Sequence, residues 1–398
     1  MVQFNKLAEG YYDHSNGPGR YVARSEGAAK AKEILEKKIE DGRKSALAIW
    51  ERVNKEVPDD QIAKGKALRF GTRQMMSGTQ DDAHAIDAPQ LVMGVGDRGL
   101  TIHDNALGQL AQRAGVPATY ARDLASGAEW QRKLLAGILN EHYHQGNGDA
   151  RYLVRSYAGQ ARGVMSDKFR RLDSRPLMAA AMEAFVALGA VPIDGVGSDT
   201  RVAIRCLLPQ VFEPIEGEMI AFGFEWGNSD YGRGANVGRA FILRPWCLNG
   251  AVMENALAQV HLGKRLTDDV EFSEKTYRLD TEASVSALRD VIAGTLAPKK
   301  VAQLCEAIGA AHAKQVDWRS LKGPLAKRLL KGELEKVKES FEGNDVHNLP
   351  AGATMWRASN AVSWLAGHVE DADRKLDLQR LAGELVDGRK DREIAEAA

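Results

Sequence analysis

The amino-acid sequence predicts an α+β fold, in which a central domain with an antiparallel or mixed β-sheet lies between helical N- and C-terminal regions. Strand-like runs are crowded into the middle of the chain, whereas helical spacing of apolar residues dominates before residue 56 and after residue 251. Consecutive strands lie close together in sequence, which favours antiparallel or mixed pairing over a purely parallel sheet. We therefore divide the chain into residues 1–88 (arm, helix and linker), 89–266 (central domain) and 267–398 (helical region).

The N-terminal region is predicted to hold one bent helix, or two, after an arm at residues 1–25. Ser25 is placed to cap the helix, apolar residues recur at helical spacing as far as Trp50, and Pro58 ends the pattern. Residues 59–89 are polar and contain three glycines, so we predict a linker there.

The central domain is predicted to begin with a hairpin, 91–95 and 100–102, that leads into two helices around Gly115. The layout of residues 104–124 resembles a helix-turn-helix with Thr119, Arg122 and Arg113 facing outward. A plain helical corner that packs on the hairpin is the alternative interpretation.

The remaining elements follow from periodicity and turn residues. Further strands are predicted at 152–157, 161–165, 201–208, 219–226 and 238–244, and a loop at 194–199. Helices are predicted at 26–56, 130–143, 177–188, 251–262, 279–297, 301–316, 321–341, 355–365 and 372–386.

Bulk composition describes an ordinary globular chain of 398 residues with a formal net charge of zero. No apolar run is long enough for a transmembrane helix, and the N-terminus lacks the pattern of a secretory signal, so we expect no membrane partner. The three cysteines have neither disulfide nor zinc spacing, which suits a reducing cytoplasm. Charge is unevenly distributed: residues 151–266 carry an excess of three positive charges, and residues 267–398 an excess of three negative ones.

The positive charge is concentrated in residues 151–176, which we call the basic stretch. It contains seven basic residues and two acidic ones, set among Tyr152, Tyr157 and Phe169. Positive side chains attract phosphates and aromatic rings stack on bases, so this combination indicates a surface that binds nucleic acid. Farther along, Arg201 and Arg205 share one face of a predicted strand, and the glycine-rich segment 228–236 carries Tyr231 and Arg233.

No motif indicates a catalytic centre, a cofactor site or a metal site. Residues 94–99 spell GxGxxG, but the pattern occurs in a hairpin turn with no helix immediately after it, and the chain has no P-loop motif. His142 and His144 lack a third ligand at fitting spacing, and nothing local activates Cys247 beside His261. We therefore predict no catalytic residues and no cofactor, although an enzyme site assembled only in the folded chain stays open.

Several segments resemble a family of phage- and plasmid-borne proteins that is known as a domain of unknown function. The similar segments are RGVMSDKFRRLDS (162–174), RPWCLNGAV (244–252), VHLGKRL (260–266), TMWRASNAVSWLAGH (354–368), ADRKLDLQRLAGEL (372–385) and LTIHDNALGQLAQRAGVPATYARDL (100–124). The resemblance spans roughly residues 100–385 and implies a phage or prophage protein in the cytoplasm of a bacterial host.

The strand-rich middle is also loosely similar to phage single-strand annealing proteins of the RecT and Redbeta kind. That similarity implies a homo-oligomer, a ring or a filament, that holds single-stranded DNA extended in a basic groove. The residues predicted to contact phosphates are Arg155, Arg162, Lys168, Arg170, Arg171, Arg201, Arg205 and Arg233, and those predicted to stack on bases are Tyr157, Phe169 and Tyr231.

Two other functions stay open: a duplex-DNA-binding regulator that uses residues 104–124, and an anti-defence or host-interaction protein that binds no nucleic acid. The arrangement of side chains bears on the choice. A continuous basic groove along the basic stretch would support nucleic-acid binding, whereas burial of Phe169 with Arg170 and Arg171 both ion-paired would count against it.

Overall fold

The computed structural model describes residues 18–72, 90–245, 249–259, 273–343 and 348–387. Within these ranges the chain forms eleven α-helices and two β-sheets, one of six strands and one of five. The predicted α+β class, with antiparallel or mixed sheets and helices towards both ends, is confirmed. Most of the predicted N-terminal arm lies outside the described residues.

The first sheet is mixed and has the strand order β1–β5–β6–β4–β3–β2. Only β4 and β6 pair in parallel, and the other neighbours are antiparallel. The strands are β1 (Asp59–Lys64), β2 (Leu68–Thr72), β3 (Leu91–Val95), β4 (Arg98–Ile102), β5 (Arg151–Tyr157) and β6 (Gln160–Ser166). Both predicted hairpins, β3–β4 and β5–β6, are confirmed.

Residues 59–72 form the two edge strands of this sheet, where the sequence predicts a linker. β1 pairs with β5, where Ile62 lies opposite Leu153, and β2 pairs with β3, where Phe70 lies opposite Met93. The charged composition of β1 is typical of an edge strand, since charges there discourage pairing with other chains. Its pairing is set by distant residues, which the local sequence does not show.

The six-stranded sheet curls so that its two edges approach each other. A flat sheet of six strands would separate its edges by about 24 Å, whereas the chain from β1 to β2 can span only about 14 Å. The Gln61 side-chain amide of β1 donates to the Val95 carbonyl at the end of β3 (3.5 Å), and Arg98 of β4 forms an ion pair with Asp59.

Three helices cover one face of this sheet: α2 (Asp104–Arg113), α3 (Ala118–Ser126) and α4 (Glu129–Asn140). Their apolar side chains share a core with those of the sheet, including Leu107, Leu110, Leu124, Leu135, Leu139, Leu68, Val95 and Val154. The corner between α2 and α3 contains Gly115 at φ +72°, a conformation that suits glycine. We call the sheet with these helices the first lobe.

The second sheet is antiparallel throughout and has the order β11–β10–β9–β8–β7. Its strands are β7 (Val191–Ser198), β8 (Arg201–Ile215), β9 (Glu218–Asn228), β10 (Asn236–Arg244) and β11 (Asn249–Gln259). The strand predictions at 201–208, 219–226 and 238–244 are confirmed within β8, β9 and β10.

Two predictions for this sheet are wrong. Residues 194–199, predicted as a loop, belong largely to β7, and residues 251–259, predicted as helix, belong to β11. The segment 251–259 is rich in alanine, which favours a helix locally, but pairing with β10 overrides that preference. Residues 260–262, the end of the predicted helix, lie outside the described residues.

The remaining helices surround the second sheet, and together they form the second lobe. They are α1 (Glu26–Lys55), α5 (Ser174–Ala187), α6 (Glu274–Thr295), α7 (Pro298–Ala313), α8 (Trp318–Ala326), α9 (Lys331–Glu342), α10 (Met355–Gly367) and α11 (Ala372–Val386). The predicted helix 321–341 is two helices, α8 and α9. α1 is continuous, and Gly42 lets it lie against β7, since a Cβ there would fall 1.5 Å from the Ile193 carbonyl oxygen.

Among the helices of the described ranges, none is both long enough and apolar enough to cross a membrane.

Candidate nucleic-acid interface

Arg155, in the middle of β5, is buried at the junction of the two lobes, with 1% of its surface exposed. Its guanidinium donates to the carboxylates of Asp60 and Asp173 and to the backbone carbonyl of Asp230, each at 2.7 Å. Burial alone would lower the pKa of Arg155, but Asp173 and Asp60 outweigh burial and hold the pKa above its ordinary value. This side chain joins the lobes and is not open to a phosphate.

Arg162 of β6 also connects the lobes. Its Nη1 donates to Glu56 Oε2 at 2.6 Å and to the Asp199 carbonyl at 3.2 Å. The guanidinium lies over the ring of Tyr157, 4.9 Å from the ring centroid, and 5.8 Å from that of Tyr231. Half-buried Tyr157 therefore already stacks on an arginine of its own chain.

The end of the basic stretch packs against α6. Arg170 Nε and Nη2 each donate to an oxygen of Asp280 at 2.5 Å, and Nη2 also donates to Ser284 Oγ at 3.0 Å. Arg171 lies 3.6 Å from Asp60 Oδ2 and 3.5 Å from Glu274 Oε1. A bidentate carboxylate satisfies a guanidinium in the way a phosphate would, so Arg170 is occupied from within the chain.

The three rings predicted to stack on bases are not equally accessible. Phe169 is 5% exposed and packs with Leu153 and Met165, and Tyr231 is 4% exposed. Phe169 is thus buried, and Arg170 and Arg171 are both ion-paired. This is the arrangement that counts against nucleic-acid binding by the basic stretch. Lys168 is half-buried. We do not propose Arg155, Arg162, Phe169, Arg170, Arg171 or Tyr231 as contacts with nucleic acid.

Arg205 belongs to a row of charged residues that crosses the second sheet. Asp194, Arg205, Glu225 and Arg239 are register partners on β7, β8, β9 and β10. Arg205 Nε and Nη2 donate to Glu225 Oε2 at 2.8 and 2.7 Å, and Nη1 lies 3.3 Å from Asp194 Oδ2. We call these four residues the charged row.

Helix α11 covers the charged row. Gln379 of α11 accepts a hydrogen bond from Arg205, and Asp373 accepts one from Arg201 Nη1 at 3.0 Å. Arg201 and Arg205 thus share a strand face, as predicted, but that face is turned towards a helix rather than towards solvent. Neither residue is proposed as a contact.

Burial and neighbouring charge oppose each other in the charged row. Burial alone would raise the pKa of Glu225, but Arg205 and Arg239 outweigh it, and the pKa lies below its ordinary value. The pKa of Arg239 falls to about 10, first because of burial and then because of Arg380 nearby. Glu225 is therefore ionised at neutral pH and balances the guanidinium groups around it.

The open polar site at the junction is a groove between the lobes, which we call the interlobe groove. The α2–α3 corner forms one wall and the loop between β9 and β10 the other, and the groove encloses about 660 Å³. Arg122 reaches it from the first lobe and Arg233 from the second. The other polar lining side chains are the amides of Asn105, Gln109 and Gln112.

Both groove arginines are partly exposed, and each lies beside one carboxylate. Arg122 lies 3.5 Å from Asp104, and these side chains are 46% and 70% exposed. Arg233 lies 2.9 Å from Asp373, which Arg201 shares, and 40% of the Arg233 side chain is exposed. The Arg122–Asp104 pair is exposed and contributes only about 0–1 kcal/mol, so a phosphate can replace its carboxylate at little cost. The Asp373 side chain is only 12% exposed and stays the partner of Arg233, whose exposed part faces the groove. Of the predicted site residues, Arg233 is the one that lines this groove.

The amides of the groove hold the loop in place. Asn105 Nδ2 and Gln109 Nε2 both donate to the Tyr231 carbonyl at 2.9 Å, and Gln109 Oε1 accepts from the Val164 backbone amide at 2.7 Å. Gly232 at φ +73° lies next to Gln109, where a side chain would collide with Met165. The wall that carries Arg233 is therefore fixed against the wall that carries Arg122.

Sequence reasoning missed the acidic partners and the groove. Asp60, Asp280 and Glu56 lie 95, 110 and 106 residues from the arginines that they bind. Asp167, which is close to Arg170 and Arg171 in sequence, instead lies 3.5 Å from Arg151. Arg122 was accessible to sequence reasoning, because the predicted helix-turn-helix already placed it on an outer face.

Asp230 is a partly buried acid at the same junction, and its carboxylate gives a pH test of the geometry. Its Oδ1 accepts from the Ser174 amide (2.8 Å), from Ser174 Oγ (2.6 Å) and from Asn228 Nδ2 (3.1 Å). Burial, and then the negative charge of Asp173, raise the pKa of Asp230 from 3.8 to about 6.

Folding should therefore take up a proton at Asp230 between about pH 6 and pH 4. Because the folded pKa lies above the unfolded one, the contribution of Asp230 to stability rises as the pH falls through this window. We expect the free energy of unfolding of the wild type to rise relative to that of Asp230→Asn by about 2–3 kcal/mol. Urea unfolding of both proteins from pH 7 to pH 4 measures the difference, and a difference that is constant or falls would contradict the assignment.

The described residues contain no group of three or more histidine, cysteine or acidic side chains arranged to hold a metal ion.

Comparison with known proteins adds no relative. No protein-family model matches the chain, and neither the curated proteins nor the solved structures that were searched contain a match. The resemblance to the phage- and plasmid-borne family, and the similarity to annealing proteins, stay predictions.

Proposed function

We propose that the protein binds nucleic acid in the interlobe groove, with single-stranded DNA favoured, and that it does so as an oligomer in phage recombination or replication. The observation that carries the proposal is an open groove of about 660 Å³ with a half-exposed arginine on each of its two walls. The contact residues of the proposal are Arg122 and Arg233.

The chemistry of the groove suits a sugar–phosphate backbone. Two guanidinium groups supply positive charge to phosphates, and the amide of Gln112 adds a neutral donor and acceptor. No described aromatic side chain lines the groove, so contacts to the backbone rather than stacking would supply the affinity. Binding of this kind tolerates many sequences and is sensitive to salt.

The proposal moves the site away from the basic stretch. Six of the predicted arginines are engaged by carboxylates between elements or beneath α11: Arg155, Arg162, Arg170, Arg171, Arg201 and Arg205. These contacts make the stretch a connection between the lobes. We therefore assign the basic stretch a smaller role in nucleic-acid binding than the sequence predicts.

The test is a salt titration of single-stranded DNA binding, starting at about 50 mM salt. Replacing Arg122 and Arg233 together with alanine should weaken binding and lower the salt slope by about 1.4, since each phosphate contact on a single strand contributes about 0.7. Arg175→Ala is the matched control, because Arg175 is exposed at the start of α5 and does not line the groove.

Two results would contradict the proposal. One is the absence of detectable affinity at about 50 mM salt, and the other is an unchanged salt slope in the double variant. The double variant Arg170→Ala with Arg171→Ala separates the two candidate sites. We expect it to lose stability and to keep its salt slope, whereas a site on the basic stretch requires the slope to fall. Light scattering of the free protein and of the complex tests the oligomer.

A duplex-reading function is the second candidate, because α3 presents an exposed face. Thr119, Tyr120 and Arg122 of α3 are exposed, and the Gly115 corner joins α3 to α2 as in a helix-turn-helix. A preference for one duplex sequence that Arg122→Ala relaxes would favour this function over strand binding. Capture of a host protein without any affinity for nucleic acid would favour the interaction protein instead.

A further inference from the structure

A small polar cavity lies beside the interlobe groove, inside the second lobe. It measures about 30 Å³ and lies where the end of α1, the β7–β8 turn and the β9–β10 loop meet. Four residues with hydroxyl groups line it, Ser174, Ser198, Thr200 and Tyr231, and the Ser174 hydroxyl donates to Asp230. We call it the hydroxyl cavity.

The hydroxyls of Ser198 and Thr200 have no hydrogen-bond partner among the described residues, and the Tyr231 hydroxyl has only the neighbouring Arg162 guanidinium. Thr200 is 2% exposed and Tyr231 4%, so both groups are almost entirely removed from solvent. A buried hydroxyl without a partner loses the hydrogen bonds that it would make in water. Such groups around one cavity therefore indicate an occupant that forms hydrogen bonds with them.

The cavity also contains an arginine without an acidic partner. Arg52 donates to the Arg201 carbonyl at 3.4 Å and forms no ion pair within the described part of the chain. Arg201 lines the cavity as well and is held by Asp373 at 3.0 Å. The Tyr231 hydroxyl lies close to the Arg162 guanidinium, whose positive charge opposes the effect of burial on the pKa of Tyr231.

The acids of the cavity are already engaged or turned outward. Glu56 accepts from Arg162, and Asp230 accepts from Ser174 and Asn228. Asp199 is 58% exposed and lies 3.8 Å from His103 Nε2. The uncommitted groups that face the cavity are therefore hydroxyls and a guanidinium, and all of them can donate hydrogen bonds.

We propose that the hydroxyl cavity is a site for a phosphate group. Its oxygens accept hydrogen bonds without donating in return when the group is fully ionised, which matches the donors of Ser198, Thr200, Tyr231 and Arg52. A volume of about 30 Å³ is roughly twice the minimum for one water molecule, so the cavity admits part of one phosphate group and no larger ligand.

The position of the cavity suggests the source of the phosphate. Tyr231 contributes its ring to the cavity, while its carbonyl is held by the amides of the groove. Asp373 joins the two sites in the same way, because it binds Arg201 of the cavity and Arg233 of the groove. A strand in the groove could therefore place a terminal phosphate in the cavity, a step that rests on the proposed function.

Inorganic phosphate tests the site without nucleic acid. Calorimetric titration should show binding to the wild type and an affinity lower by about ten- to a hundredfold in Thr200→Val and in Tyr231→Phe, because each loses a hydrogen bond to a charged group. Both substitutions keep the shape of the side chain, and Tyr21→Phe, far from the cavity in sequence and absent from its lining, is the matched control. Urea unfolding verifies that each variant is folded.

Two oligonucleotides that differ only in a 5′-phosphate test the source. We expect the phosphorylated strand to bind about tenfold more tightly, and we expect Thr200→Val to remove the difference. If inorganic phosphate binds and the two strands do not differ, the site takes free phosphate. If phosphate binds and no strand binds at all, the phosphate site is supported and the proposed function fails. The proposal is overturned if neither inorganic phosphate nor the 5′-phosphate has an effect that depends on Thr200 or Tyr231.

Discussion

Replacing Arg155 with alanine should lower the free energy of unfolding by about 3–5 kcal/mol. The change removes the group that Asp60, Asp173 and the Asp230 carbonyl share at the lobe junction. It leaves two partly buried carboxylates without their partner and opens a void where a side chain with 1% exposure was packed. Urea unfolding at pH 7 measures the loss.

Two further variants, one at Arg155 and one at Arg175, distinguish the loss of these specific contacts from a general loss of positive charge. Arg155→Lys should recover only part of the stability, because one ammonium group cannot match three acceptors arranged around a planar fork. Arg175→Ala, on the exposed start of α5, should change the free energy of unfolding by no more than about 0.5 kcal/mol. A loss at Arg155 as small as that at Arg175 would contradict the structural role.

Glu225→Gln should be comparably destabilising, by about 3–5 kcal/mol, because it removes the negative charge from the middle of the charged row. Arg205 and Arg239 would then face each other across a neutral amide, with Arg380 close to both. Glutamine preserves the shape of the side chain, so the effect isolates charge from packing. Urea unfolding at pH 7 measures it, and Glu216→Gln on the exposed β8–β9 turn is the control.

The stability difference between the wild type and Glu225→Gln should depend on pH with a definite sign. The folded pKa of Glu225 lies below its ordinary value, so its contribution is present above the unfolded pKa of about 4.3 and is lost as the pH falls through the folded value. The difference in stability between wild type and Glu225→Gln should therefore shrink only in strong acid. If the difference shrinks at neutral pH instead, another group carries the effect.

Periodicity accounts for the parts of the fold that the sequence predicts. The C-terminal helices have apolar residues at helical spacing, and the hairpins β3–β4 and β5–β6 are short strand-like runs joined by turns that contain glycine. The secondary structure of segments without a clear hydrophobic period was predicted wrongly. β1 is polar because it lies at an edge, and β11 is rich in alanine, so the structure of each depends on a neighbouring strand that is distant in sequence.

The arginines show which features of the candidate site the sequence predicts and which it does not. Sequence spacing correctly places Arg201 and Arg205 on one face of β8, because strand geometry alone determines that relation. Whether that face meets solvent or a helix depends on α11, more than 160 residues later, since Asp373 lies 172 residues from Arg201. A local excess of positive charge is therefore explained equally well by ion pairs within the folded chain and by an anionic ligand.

The separation between Arg170 and Asp280 has a consequence during translation. These residues lie 110 positions apart, so a ribosome that adds about 5–20 residues per second completes Asp280 roughly 5–20 s after Arg170. Throughout that interval the nascent chain carries Arg170 and Arg171 without the carboxylates of α6. The carboxylates that bind Arg155 and Arg162 are made before or with the basic stretch, whereas the Arg170–Asp280 pair forms only after α6 has been made.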